Sequence, residues 1–194
     1  MRKFSSIFIL MILPCLVWGN TSLNAPPKQV RSFSPGTKGT VLIFVSSLCP
    51  CTDAHRQMVE SLLNQNKTKG IKFYLVFSNK GESIDFIEYF YRSIKWDIPY
   101  ILDTAGSLLN KYKATHTPQA FVLSPQKKIL YRGPIDDSNL NQGRVDKPYL
   151  KNALEDILAG RSVKTPEVAG TGCWIVRDTN SGIVKIASDS DKQK

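Results

Sequence analysis

The chain has 194 residues, 42% of them hydrophobic, with a formal net charge of +10. That length supports one domain with a real core and is too short for two. Its lysines and arginines stand singly or in pairs, with no long basic run, so the charge reads as a solvated surface and no nucleic acid is expected as a partner.

Arg2 and Lys3 precede a largely apolar stretch from Ile7 to Trp18 that ends at Gly19. This is the layout of a signal peptide over residues 1–19. As a helix the stretch would span about 18 Å against a hydrocarbon core of about 30 Å, so no permanent membrane anchor is expected. Cys15 falls late in this run, but Leu13-Pro14 lacks the small residue that lipidation needs just before the cysteine. Cleavage after Gly19 would leave 24 basic against 16 acidic residues and the cysteines Cys49, Cys51 and Cys173. In the periplasmic or secreted setting this implies, three cysteines cannot all pair internally.

Residues 20–39, with Pro26, Pro27, Pro35, Gly36 and Gly39, read as a leader arm. Thr40 to Ser46 is β-branched or aromatic at nearly every position, which predicts a buried strand. Pro50 to Asn66 switches to helical spacing, with Ala54, Met58 and Leu62 on one stripe. Ile71 to Phe77 predicts a second strand. Glu82 to Trp96 predicts a helix that turns Ile84, Ile87, Tyr91 and Ile94 inward. A short strand at Tyr100 to Leu102, a turn at Asp103 to Gly106 and a helix with Leu108, Leu109 and Tyr112 come next. Gln119 to Leu123 and Lys128 to Arg132, separated by Ser124-Pro125-Gln126-Lys127, predict an antiparallel hairpin. Pro148 to Ala159 predicts the closing helix, with Gly160 just past its end. Alternation followed by a hairpin and a helix describes an α/β domain over residues 40–177, a mixed central β-sheet with helices on both faces. Residues 178–194 read as a polar flexible tail. Asn20-Thr21-Ser22 and Asn66-Lys67-Thr68 have the form of glycosylation acceptors, relevant only in a eukaryotic secretory pathway.

Ser46-Ser47-Leu48-Cys49-Pro50-Cys51 lies where the first strand gives way to the first helix, the edge at which open sheets bind ligands. Pro50 suits the first helical position, leaving Cys49 at the cap. There the free N–H groups and the positive end of the helix dipole favour thiolate over thiol, which makes Cys49 the candidate nucleophile. Residues i and i+2 of a helix do not face each other, so a Cys49–Cys51 disulfide is expected to be strained and easily reduced. Cys173 follows the flexible stretch Val168-Ala169-Gly170-Thr171-Gly172 and is the other candidate for a resolving thiol. His55, one turn after Cys51 on the same helical face, could lower the cysteine's pKa or join it as a metal ligand, but reads first as a surface or packing residue. Asp136 and Asp137 look like an acid/base pair, but a polar turn after a strand is the reading preferred.

The strand-Cys-helix opening and the segment Thr117-Pro118-Gln119-Ala120-Phe121-Val122-Leu123 before a hairpin resemble the thioredoxin superfamily. A closer similarity is to its redoxin (AhpC/TSA, peroxiredoxin-like) branch of exported bacterial proteins. It is carried by Cys49-Pro50, Thr117-Pro118, Tyr131-Arg132-Gly133-Pro134-Ile135-Asp136-Asp137, Leu158-Ala159-Gly160 and Gly172-Cys173, across residues 40–176. The resemblance implies a thioredoxin-like fold. It implies a cis-proline at Pro118 facing Cys49, backbone groups of Thr117 that pair with an extended substrate, and Pro50 and His116 beside them. Thr52 stands where thioredoxins carry a second cysteine. Leu42 stands where peroxiredoxins carry a proline, and their arginine has no clear match, His116 lying near its place.

The leading expectation is an exported thiol–disulfide oxidoreductase. In it Cys49 attacks a protein or small-molecule disulfide, Cys51 or Cys173 resolves the mixed disulfide, and an external thiol donates electrons. The alternatives are a thiol peroxidase acting on a hydroperoxide as an antioxidant, and a copper-binding metallochaperone in which Cys49, Cys51 and a histidine hold Cu(I). Neither a cofactor nor a resident metal is expected for the leading reading.

Overall fold

The computed structural model describes residues 28–138 and 145–177. The expected signal peptide, residues 20–27 of the expected arm and the expected tail from 178 lie outside the described residues.

β1, Gly39–Val45, is buried at every position. A strand covered on both faces needs apolar side chains throughout, which is why its sequence shows no alternation. After it come α1 (Pro50–Ala54), α2 (Arg56–Asn66), β2 (Ile71–Phe77), α3 (Ile84–Ile94) and β3 (Tyr100–Leu102). Then follow α4 (Ser107–Tyr112), β4 (His116–Thr117), β5 (Gln119–Leu123), β6 (Ile129–Gly133), α5 (Tyr149–Leu158) and β7 (Cys173–Trp174). The main sheet has the order β3-β2-β1-β5-β6. β2 is parallel to β1 and to β3, while β5 and β6 run antiparallel.

The period-2 alternation of strand side chains divides the core in two. Val41, Ile43 and Val45 point to one face, where α2, α3 and α5 bring Val59, Leu62, Ile87, Tyr91, Leu150 and Leu154. Leu42 and Phe44 point to the other, where α4 brings Leu109 and Tyr112, and Ile175 joins them. The expected α/β architecture, a mixed sheet with helices on both faces, is what forms.

Four local expectations are corrected. The single helix over Pro50 to Asn66 is two, broken at His55 (φ −91°, ψ 6°), because the His55 ring takes the Cys51 carbonyl at 2.7 Å. Ile84 is 56% exposed and not part of the inner stripe. The helix starts there because Ser83 caps it, its hydroxyl accepting from the Phe86 N–H. Asn66 is buried and donates to the Leu62 carbonyl, so it offers no glycosylation acceptor. Finally, residues 166–176 are no loose approach. Arg132 N–H donates to the Pro166 carbonyl, Val168 N–H to the Arg132 carbonyl and Ile175 N–H to the Thr115 carbonyl, while β7 pairs antiparallel with β4. Strands of two residues are too short for any hydrophobic period to announce.

Candidate functional site

β1 delivers the chain to Ser46, and a clamp then shapes the turn into α1. Glu82 accepts hydrogen bonds from the Ser46 hydroxyl and the Ser47 N–H, and is itself held by Asn79. The Leu48 N–H returns to the Ser46 hydroxyl, and the Cys49 N–H to the Ser46 carbonyl. Cys49 is extended (φ −96°, ψ 111°) and caps α1, with Pro50 at its start. The Cys49 side chain therefore points back toward the sheet edge and is only 4% exposed.

Across from it stands the Thr117–Pro118 peptide, which is cis. The Cys49 thiol donates to the Thr117 carbonyl at 3.1 Å. The register of β4 and β7 sets Thr117 opposite Cys173. Two glycines permit this approach. A Cβ on Gly172 (φ +111°) would sit 2.3 Å from the Thr117 carbonyl oxygen, and one on Gly170 would sit 2.6 Å from His116 Nδ1. As a result the sulfurs of Cys49, Cys51 and Cys173, none of them in a disulfide, lie within 4.8 Å of one another. Among the described residues this is the group able to ligate a metal. Leu48 and Trp174 are exposed on either side, and Trp174 stacks on the His116 ring at 4.1 Å between centroids.

The three thiols are not equivalent. Burial pushes the Cys49 thiol up, but hydrogen bonds from Cys173 and then Thr117, with backbone N–H groups behind them, outweigh it and hold the thiol below its ordinary 9.0. Burial and the neighbouring Cys49 charge raise Cys51. Burial and the hydrogen bond to Cys49 push Cys173 up to about 12. Cys173 thus keeps its proton and lends it to the Cys49 sulfur. The Thr117 hydroxyl is buried without a partner, which leaves it free to donate once Cys49 is ionised. α1 has five residues, so its dipole is short and these hydrogen bonds are the stronger source of thiolate stability.

Behind α1 lies a buried pairing of His55 with Asp136 that sequence reasoning did not draw. His55 Nε2 is 3.1 Å from Asp136 Oδ1, with side chains 5% and 1% exposed. His55 Nδ1 faces the Cys51 carbonyl at 2.7 Å, an acceptor that demands a donor. The carbonyl holds the proton on Nδ1, and Nε2, which meets the Asp136 carboxylate and, at 3.2 Å, the Ser138 hydroxyl, is the nitrogen whose proton makes the ring an imidazolium. Burial lowers its pKa, yet Asp136 and the Cys51 carbonyl prevail and raise it above 6.5. Burial likewise raises Asp136, and hydrogen bonds from His55 and Ser138 prevail and lower it below 3.8. The reading of His55 as a surface or packing residue and of Asp136 as a turn residue is therefore corrected. The available signal was the helical offset of His55 from Cys51, but nothing local ties it to a residue 81 positions further on.

Of the residues singled out from sequence, the fold gathers Cys49, Cys51, Cys173, Thr117, Pro118 and His116 around one edge, with Pro50 exposed at the start of α1. The Thr117 backbone, expected to be open to an extended substrate, lies instead against β7 of its own chain.

The domain model whose description reads domain of unknown function, DUF6436, matches residues 20–175. No curated protein matches. An uncharacterised conserved protein from Geobacillus kaustophilus is 26% identical over 74% of this chain and 79% of its own, with a TM-score of 0.68. A hypothetical protein from Sinorhizobium meliloti 1021 is 23% identical over 72% and 80%, with a TM-score of 0.66. The thioredoxin domain of a thiol-disulfide oxidoreductase from Bacteroides vulgatus is 16% identical over 63% and 81%, with a TM-score of 0.50, a likeness of fold alone. The chain belongs to the DUF6436 family and has a thioredoxin-like fold, with three free thiols gathered at the edge where β1 meets α1.

Proposed function

We propose that this chain is an exported thiol–disulfide oxidoreductase of the redoxin branch, with Cys49 as nucleophile and Cys173 as resolving thiol, in a domain spanning residues 40–177. The observation that carries the reading is the meeting of three sulfurs within 4.8 Å, of which Cys49 is held most acidic. Export is supported by Arg2 and Lys3 ahead of the apolar run Ile7 to Trp18.

In the proposed cycle the Cys49 thiolate attacks one sulfur of a substrate disulfide. The substrate S–S bond breaks, and the departing sulfur takes a proton from solvent. The Cys173 thiol gives up its proton and attacks Cys49, forming Cys49–Cys173 and releasing the second substrate thiol. An external thiol donor then returns the two electrons. Cys173 supports the resolving role better than Cys51, since it comes from a strand of its own opposite Thr117, whereas Cys51 is two residues from Cys49 in the first turn of α1, where the side chains do not face each other. Leu48, Pro50 and Trp174, exposed beside Cys49, form the surface against which the substrate rests, with Pro118, Thr117 and His116 behind them.

Disulfide exchange is favoured over peroxide reduction because the groups acting most strongly on the Cys49 thiol are Cys173, Thr117 and backbone, with no arginine among them to polarise a peroxide. Cys49→Ser is expected to abolish reduction of a small disulfide substrate, and Cys173→Ser to accumulate a Cys49 mixed disulfide visible by intact mass. Wild-type turnover in Cys49→Ser would overturn the reading. Hydrogen peroxide consumed faster than the disulfide would transfer it to the peroxidase alternative.

A further inference from the structure

Exchange between Cys49 and Cys173 leaves one member of the cluster without a task. The Cys51 sulfur is nevertheless within 4.8 Å of both others. An odd number of thiols cannot all be consumed in disulfides, so one sulfur is surplus in every oxidised state. Three converging thiols are what a trigonal soft-metal centre requires. Metal–sulfur bonds of about 2.3 Å in a plane set the sulfurs about 4 Å apart, so the cluster closes on an ion with a contraction under about 1 Å.

We propose that the reduced site binds a single Cu(I), coordinated by Cys49, Cys51 and Cys173. This does not rest on the exchange reading, although it uses the same sulfurs. Thiolates select a soft cation, and the number of ligands selects among soft cations. Zinc in a closed site takes four, and among the described residues no fourth ligand joins the three sulfurs. Neither histidine is placed to serve. Both ring nitrogens of His55 are engaged, by the Cys51 carbonyl and by Asp136. His116 Nδ1 is paired with the Thr115 hydroxyl, and its ring lies against Trp174. The third ligand is therefore Cys173, in place of the histidine expected from sequence.

Cys49 is buried while Cys51 and Cys173 are half-buried. That leaves the ion covered on one side and open on the other, an arrangement that permits transfer to a thiol of a second molecule by ligand exchange. Binding breaks whichever S–H bonds remain, releases those protons to water and changes no oxidation state. A Cys49–Cys173 disulfide removes two of the three ligands, so oxidation and copper loading exclude each other.

The test is anaerobic titration of the fully reduced chain with Cu(I) in competition with the chromophoric chelator bicinchoninate. A single Cu(I) per chain is expected, with X-ray absorption showing a first shell of three sulfurs. Cys51→Ser and Cys51→Ala are each expected to weaken binding by more than about tenfold, and the disulfide-oxidised chain to bind none. Failure to compete for Cu(I), binding by Cys51→Ala as tight as wild type, or nitrogen or oxygen in the first shell would overturn the proposal. Turnover of a small disulfide by the same reduced preparation separates the two readings. No copper with turnover intact defeats only the metal site, whereas copper bound without turnover defeats only the exchange.

Discussion

When Cys49 loses its proton the negative sulfur needs hydrogen-bond donors, and the residues that offer them come from distant parts of the chain. The Cys173 thiol and the otherwise unpartnered Thr117 hydroxyl are the side-chain donors within its reach. The His55 imidazolium, whose charge is also favoured by Cys49, stands behind α1. Removing the carboxylate from under that imidazolium strands a buried charge. Asp136→Asn is therefore expected to cost about 3 kcal/mol in denaturant unfolding at pH 6, and to move the Cys49 thiol pKa upward. The pair also sets a pH window. His55 is raised above 6.5, so its contribution is complete below that value and is lost as pH rises through its folded pKa. Asp136 is lowered below 3.8, so its contribution is complete above that value and is lost as pH falls through its own folded pKa. Tm against pH should decline on both sides of this window, and His55→Gln should remove the alkaline decline. An unchanged alkaline limb in that variant would mean the ring is neutral. At this scale Cys49 was legible, because a strand end, a cysteine and a proline at a helix start are adjacent in sequence. Asp136 was not, because its partner is distant and a carboxylate after a strand looks like any polar turn.

β7 shows how a two-residue element governs the site. It places Cys173 opposite Thr117 only because Gly172 has no side chain, a Cβ there meeting the Thr117 carbonyl oxygen at 2.3 Å. Gly172→Ala combines that collision with a positive φ that costs a non-glycine residue about 1–2 kcal/mol. The variant is expected to fold, to keep an alkylatable Cys49, and to form the Cys49–Cys173 disulfide with glutathione disulfide more slowly than wild type. Wild-type kinetics would show that Cys173 reaches Cys49 without this strand. The long elements β1, β2 and α5 were legible because their hydrophobic period or continuous burial runs over many residues. The division of the first helix at His55 was hidden, since it arises from a side chain taking a main-chain acceptor. β4 and β7 were hidden because pairing between positions far apart leaves no local period.

Across the whole molecule, the mixed sheet, its hairpin and the helices on both faces could be read from the alternation of elements, whereas the order β3-β2-β1-β5-β6 came only with the strand pairing. What no local pattern gave was the return of residues 166–176 across β6 and β4, which completes the sulfur cluster. A disulfide between Cys49 and Cys173 would close most of the domain into one loop. Chain-entropy reasoning assigns such a loop about 4–5 kcal/mol. The oxidised chain should therefore unfold at a higher temperature than the reduced one at pH 6. Equal unfolding temperatures for the two forms would contradict the closure of that loop. If Cys49 is the most acidic and most reactive of the three thiols, pH-dependent iodoacetamide labelling of the reduced chain, read site by site by mass spectrometry, will separate it from the other two. Cys49 is expected to label first, with a midpoint below 9.0, and Cys173 last. Labelling of Cys51 or Cys173 ahead of Cys49, or a Cys49 midpoint at or above 9.0, would contradict it.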